Sequence, residues 1–195
     1  MKALLDDPWK TLWAALTVTA ILAALAAASA DRLGFVALIL RWAHVALAMI
    51  WVGLIVFVNF IQLIAAREAN DTERAFLHRA IVPRVAKAFR DASTWVVITG
   101  VGLLFTSGHL FASLVYGTAV HVGGMRGMLL WLGVLGGLAM WALVHMYIWP
   151  NLQVVLGQRQ GDAATARDNV KFFARLNLVL SLPVTFAMIA AAHLY

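Results

Sequence analysis

Histidines near the ends of long apolar stretches are the residues of this sequence best suited to chemistry. His44 follows Arg41 by one helical turn in the stretch RWAHVALAMIWVG, and His109, His121 and His193 fall at comparable ends of later stretches. Imidazole can be an axial ligand of haem iron, and arginine can pair with a haem propionate. We therefore expect a haem b with His44 as one ligand, His109 or His193 opposite it, and Arg41 on a propionate. Copper or zinc on the same imidazoles is the second possibility.

Each of these residues also has a purely structural interpretation. A histidine inside a helical bundle can simply be a hydrogen-bonded core residue, although ionisable groups inside a membrane are costly and often functional. Trp51, two turns deeper than His44, suits either packing on a haem ring or ordinary core packing. Gly100, Gly102 and Gly108 would let a flat macrocycle approach the backbone of their helix.

Composition indicates the elements that must position these residues. The 195 residues are 63% hydrophobic and 12% charged, and the mean hydropathy is +0.86. A membrane span needs about 20 mainly apolar residues, and only helices and closed barrels satisfy their backbone in lipid. We predict an all-α integral membrane bundle with five transmembrane helices, at Trp9–Ala28, Gly34–Ala66, Ser93–Tyr116, Gly127–Trp149 and Phe173–Tyr195.

The distribution of basic residues predicts the orientation of the chain. Twelve of the 15 lysines and arginines fall on the side that holds the N-terminus, and three fall on the other. By the positive-inside rule, the N-terminus lies in the cytoplasm and the C-terminus outside, as for a multi-pass protein of a bacterial inner membrane. The basic loops suit orientation and lipid contact, and we expect no nucleic-acid site. The absence of cysteine excludes disulfides, thiolate metal ligands, iron–sulfur clusters and covalent c-type haem.

Two parts are expected along the chain. Residues 1–33 form an N-terminal membrane anchor helix, and residues 34–195 form a four-helix bundle with an amphipathic inner loop at 67–92. This loop is expected to form one or two interfacial helices, broken near Pro83. Pro150 is expected to bend or end the fourth span. The polar Asn59 and Gln62 fall on the same side of the second span as His44 and are interpreted as contacts between helices.

Several stretches resemble one family. RWAHVALAMIWVGLIVFVNFIQ is similar to the helix R-W-x-H-x(6)-W-x-G followed by FNF in the membrane domain of the PuuD-type, cytochrome-c-linked urate oxidases. ASTWVVITGVGLLF, VHMYIWPNLQVVLG and ARLNLVLSLPVTFAMIAAAHLY resemble later blocks of that family in the same order. The first helix alone also resembles the HemJ and CopD families of haem-binding membrane proteins. The motif positions in this chain are His44, Trp51, Trp149, Pro150, Asn151, Arg175, Asn177, Ser181, Pro183 and His193.

The resemblance implies a urate oxidase (urate hydroxylase) membrane domain that works with a periplasmic cytochrome c. Enzymes of the family carry more spans and a C-terminal cytochrome c domain, whereas this chain has five predicted spans and no cysteine. We therefore expect a short form that passes electrons to a separate cytochrome c or a larger respiratory or oxidase complex. An oxidoreductase acting on urate or another purine, and an accessory subunit without a cofactor, are the alternatives.

Overall fold

The computed structural model describes residues 5–110 and 124–193, which are almost entirely helical and contain no strand. His121 and the predicted turn around it lie outside the described residues. Among the described residues, five helices are long and apolar enough to cross a membrane, which confirms the prediction of an all-α chain with five candidate spans. The helices are α1 (Pro8–Ala27), α2 (Arg32–Glu68), α3 (Asp71–Thr106), α4 (Gly124–Val155) and α5 (Ala163–His193).

Side-chain caps fix where three of the helices begin. The Asp7 carboxylate accepts the backbone N–H of Trp9 at 2.9 Å at the start of α1. The Asp31 carboxylate accepts the backbone N–H of Gly34 at 2.6 Å at the start of α2. Asn70 and Glu73 bond to each other's backbone N–H groups at the start of α3, in a capping box. Such caps satisfy N–H groups that have no partner within the helix.

The expected break near Pro83 is not seen. Helix α3 starts at Asp71 and runs through Pro83, so the helices predicted in the inner loop 67–92 continue into the third span as one helix. Pro83 occupies the first turn of an α-helical segment that follows a π-helical turn, a position where its missing N–H costs nothing. Pro150 stands in the same relation to another π-helical turn, so α4 continues past it. Helix α3 ends at Thr106, and the last part of the predicted third span, including Tyr116, lies outside the described residues.

Three π-helical turns interrupt the α-helical geometry, at Val58–Gln62, Leu77–Ile81 and Leu143–Ile148. A π-helical turn has a wider repeat than the 3.6 residues of an α-helix, so it rotates the residues that follow. The turn at Val58–Gln62 contains both Asn59 and Gln62. The Asn59 amide donates to the Ala174 carbonyl of α5 at 3.3 Å.

Helices α2–α5 pack as two antiparallel pairs, α2 with α3 and α4 with α5. The pairs meet at a buried cluster centred on Trp51, Ile55, Met140 and Val144. Helix α1 packs only lightly on α2, and none of its residues is buried. We call the end of the bundle with the connections at residues 69–70 and 156–162 the basic end, and the opposite end the far end.

Candidate functional site

His44 is held at the contact between α2 and α3, on the far-end side of the buried cluster. Its Nδ1 lies 2.9 Å from the Val96 carbonyl oxygen and 3.3 Å from the Thr99 hydroxyl oxygen. A carbonyl oxygen can only accept a hydrogen bond, so Nδ1 carries the proton and donates it. Nε2 of the neutral ring therefore keeps its lone pair. A backbone carbonyl on Nδ1 is the arrangement that commonly orients a histidine whose Nε2 binds a metal.

Gly100 makes room for the His44 ring. A Cβ atom at Gly100 would lie 2.9 Å from Cε1 and 3.2 Å from Nδ1 of His44, closer than side chains normally pack. The other two glycines of α3 differ, since Gly102 faces Leu40 and Gly108 has a φ of +73° just after the helix ends. The flat group that Gly100 admits is therefore an imidazole, whereas the sequence suggested a macrocycle.

Arg41 and Trp51 lie on either side of His44 along α2. Arg41 is exposed and three residues nearer the far end, which corresponds to about 4.5 Å of helical rise. Trp51 is only 3% exposed and packs edge-on against Phe89, with ring centroids 6.4 Å apart and an interplanar angle of 74°. Trp51 is therefore a core residue, and its indole Nε1 is buried without a hydrogen-bond partner.

The other two proposed ligands lie elsewhere in the bundle. Helix α3 ends six residues beyond Gly100, about 9 Å further along the axis, and His109 follows that end. Nδ1 of His109 lies 2.7 Å from the Ser107 hydroxyl oxygen. His193 is the last residue of α5 and is exposed. The structure thus places His44 and His109 at different levels of the bundle.

A shared copper or zinc site finds no support in the described parts of the chain. Within residues 5–110 and 124–193, no three side chains of His, Asp or Glu come together as a metal site would require. Haem needs only one or two imidazoles, so this observation does not bear on it.

A second histidine within the helical bundle, His145, was not among the site residues expected from sequence. Nδ1 of His145 on α4 donates to the Trp141 carbonyl at 3.0 Å, and Nε2 lies 3.1 Å from the Thr94 hydroxyl oxygen on α3. The His145 ring stacks on Trp141, with centroids 4.6 Å apart and an angle of 29° between the planes. Both ring nitrogens have partners, so His145 is better suited to helix contact than to metal binding. Finding it from sequence would have required knowing that α3 and α4 meet at Thr94.

The remaining motif positions mostly serve helix packing. The guanidinium of Arg90 lies 4.4 Å above the Trp149 ring, a cation–π contact between α3 and α4. Asn177 is fully buried on α5, where its amide donates to the Met140 carbonyl at 3.3 Å. Ser181 is also buried and donates to a carbonyl of its own helix. Among the described residues of the proposed site, His44 is the histidine whose ring is oriented by a backbone carbonyl of a neighbouring helix.

Compared with protein-family models, curated proteins and solved structures, the chain matches none. The resemblance to the urate oxidase membrane domain therefore rests on the sequence motifs alone.

Proposed function

We propose that this chain is a b-type cytochrome of a bacterial inner membrane, with Nε2 of His44 as an axial ligand of the haem iron. The observation that carries the proposal is the hydrogen bond from Nδ1 of His44 to the Val96 carbonyl at 2.9 Å. That bond fixes the ring and directs the proton away from Nε2, as metal-binding histidines require. When bound, the haem would supply one-electron transfer.

The surroundings of His44 fit one side of such a group. The exposed guanidinium of Arg41, one turn towards the far end, suits a propionate at the membrane surface. The rest of the bundle is apolar, as a macrocycle requires, with 63% hydrophobic residues in the chain. His109, just beyond the end of α3, and His193, the last residue of α5, are the candidates for a second ligand.

The orientation of the chain determines the proposed electron acceptor. The excess of lysine and arginine around the connections at the basic end supports a cytoplasmic position for that end. His44 and Arg41 then face the periplasm. A separate periplasmic cytochrome c, or a larger respiratory complex, is the acceptor that this placement favours, with the electron donor in the membrane or at its surface.

An optical spectrum and metal analysis of the full chain purified in detergent test the proposal. The expected result is a reducible Soret and α band in the wild type and in His78→Ala, a matched control far from the site. His44→Ala should lose both bands while keeping its helical circular dichroism. An iron-free wild-type protein without these bands, or a His44→Ala variant with unchanged spectrum and metal content, would overturn the proposal and favour a cofactor-free accessory subunit.

A membrane-bound oxidase, acting on urate or another purine, is the second candidate. The observation that favours it is the placement of His109 beyond the end of α3, at a different level of the bundle from His44. An iron held by His44 alone would keep a position for an exogenous ligand. Carbon monoxide should then bind the reduced protein and shift its Soret band, whereas ligation by two histidines would resist carbon monoxide and favour electron transfer.

A further inference from the structure

A cavity of about 60 Å³ lies between α2, α3, α4 and α5, on the basic-end side of the buried cluster. Of the 13 described residues that line it, eleven are apolar and two, Asn59 and Gln62, are polar. No titratable side chain is among them. The cavity is separate from the His44 site, because Asn59 is 15 residues further along α2, about 22 Å of helical rise.

Asn59 and Gln62 both carry a carbonyl oxygen that is buried without a hydrogen-bond partner. The amide nitrogen of Asn59 is engaged, donating to the Ile55 carbonyl at 2.9 Å and to the Ala174 carbonyl at 3.3 Å. Both residues belong to the π-helical turn Val58–Gln62, and π-helical turns are frequent at functional sites. Buried polar atoms are nearly always paired, so two orphaned oxygens at one cavity call for a donor from outside the chain.

The volume of the cavity limits which kind of hydrogen-bond donor can bind there. An engineered cavity that binds benzene has a volume of about 150 Å³, so a six-membered ring such as a quinol head group is too large for this one. A metal cation is also excluded, since hard cations take about six or more oxygen ligands and two amide oxygens are present. A water molecule needs about 15 to 30 Å³ of such space.

We infer that the cavity is a binding site for about two to four ordered water molecules that donate to the Asn59 and Gln62 carbonyl oxygens. Neither oxygen exposes surface to the cavity in this structure, so each side chain must rotate about its terminal torsion, which is broad and soft in Asn and Gln, to accept from the water. The water molecules would supply the hydrogen-bond donors that Asn59 and Gln62 lack, so the helices that face this turn of α2 need no polar side chain there. It is independent of the haem proposal.

Water–protein cross-relaxation measured by NMR on the full chain in nanodiscs, with amide-labelled Asn and Gln, tests the inference. The wild type should show long-lived water cross-peaks to the side-chain amides of Asn59 and Gln62. It should show no xenon-induced shifts in the apolar lining, because a hydrated cavity does not take up xenon. Absent water cross-peaks, or xenon binding at Val58 and Ile148, would show a dry cavity and overturn the inference.

Variants then identify the groups that hold the water. Asn59→Leu and Gln62→Leu together should lose the water signal and gain xenon binding if volume remains. Val85→Ile, a matched control on the same wall, removes no polar group and should keep the water cross-peaks at reduced intensity. If the double variant does not fold, the wild-type water and xenon measurements still decide the matter.

Discussion

Each helix pair of the bundle packs a side chain of one helix against a glycine of the other, but the two pairs differ in the chemistry of that side chain. In the α4–α5 pair, glycines of α4 admit apolar side chains, with Met188 seated at Gly133 and Val184 seated at Gly136. In the α2–α3 pair, Gly100 of α3 admits the imidazole of His44. Both contacts bring two helices close together through a residue without a side chain, as small residues commonly do in membranes.

The difference between these side chains is informative, because an apolar side chain is sufficient for packing alone. Met188 and Val184 need no hydrogen bond, whereas His44 requires a carbonyl for Nδ1 and leaves Nε2 unused by that bond. A polar side chain at a position where an apolar one would pack suggests a requirement beyond packing. If so, variants at the two contacts should have different effects. Stability should be affected at both contacts, and chemistry only at His44.

The largest loss of stability is expected at the apolar contact, in Gly136→Ala. The added Cβ would collide with a methyl group of Val184, whose β-branched side chain cannot rotate away cheaply. Overpacking costs about 1–3 kcal/mol, and this variant should lie near the upper value. Thermal unfolding in detergent measures the loss. Gly137→Ala is the matched control, since nothing lies within 4 Å of its Cβ position. Equal stability of the two variants would show that the α4–α5 contact is looser than described.

A smaller loss of stability, accompanied by a change in chemistry, is expected for Gly100→Ala. The added Cβ would lie 2.9 Å from Cε1 of His44, so the ring must turn and weaken its bond to the Val96 carbonyl. We expect about 1–2 kcal/mol of destabilisation and a shifted or weakened haem spectrum. Gly53→Ala, with open space around its Cβ position, is the control for helix propensity. An unchanged spectrum in Gly100→Ala would remove the distinction between the two contacts.

His44→Leu should change the free energy of unfolding little but should abolish the proposed haem binding. Hydrogen bonds between membrane helices contribute about 0.6 kcal/mol on average, and leucine fills much of the space left by the imidazole. Unfolding should therefore shift by less than about 1 kcal/mol, while the haem bands disappear. Met188→Leu, at the other contact, should leave both properties unchanged. A large destabilisation in His44→Leu with the haem bands retained would show that His44 is structural.

The smallest effect lies outside both contacts, at the start of α5. Hydrogen bonds from the Thr165 hydroxyl and from the backbone N–H groups of Thr165 and Ala164 hold the pKa of Asp162 below its usual value. Because the folded pKa is depressed, this contribution to stability is present above the unfolded pKa of about 3.9 and is lost as pH falls through the folded value. The protection factor of the Thr165 amide, which is its exchange rate compared with the intrinsic rate at the same pH, should fall on acidification in the wild type. Asp162→Asn should remove that pH dependence, and neither helix contact should respond.

Much of the fold could be predicted from composition, because about 20 apolar residues are a strong signal for each span. Boundaries near prolines were less predictable. Sequence rules place breaks at Pro83 and Pro150, but the π-helical turns before them let both prolines start a new helical segment. A π-helical turn differs from an α-helical one by about one residue, so the hydrophobic pattern of a single sequence did not predict these turns.

The site was partly predictable for a related reason. His44 could be proposed from the sequence because an imidazole in an apolar helix is unusual, and this required no knowledge of its partners. Its partners, the Val96 carbonyl and Gly100, depend on how α2 and α3 are registered against each other, which a single sequence does not specify. The same holds for Thr94 and His145.

The π-helical turns also affect how any relative of this chain should be aligned. Each turn adds roughly one residue to a helical repeat, a phase shift of about 100°. A homologue with one residue fewer at Leu143–Ile148 would keep the same side chains facing the core by returning to regular α-helix. Single-residue gaps at these three turns are therefore structurally cheap, whereas a gap between His44 and Trp51 would turn one of them away from the bundle.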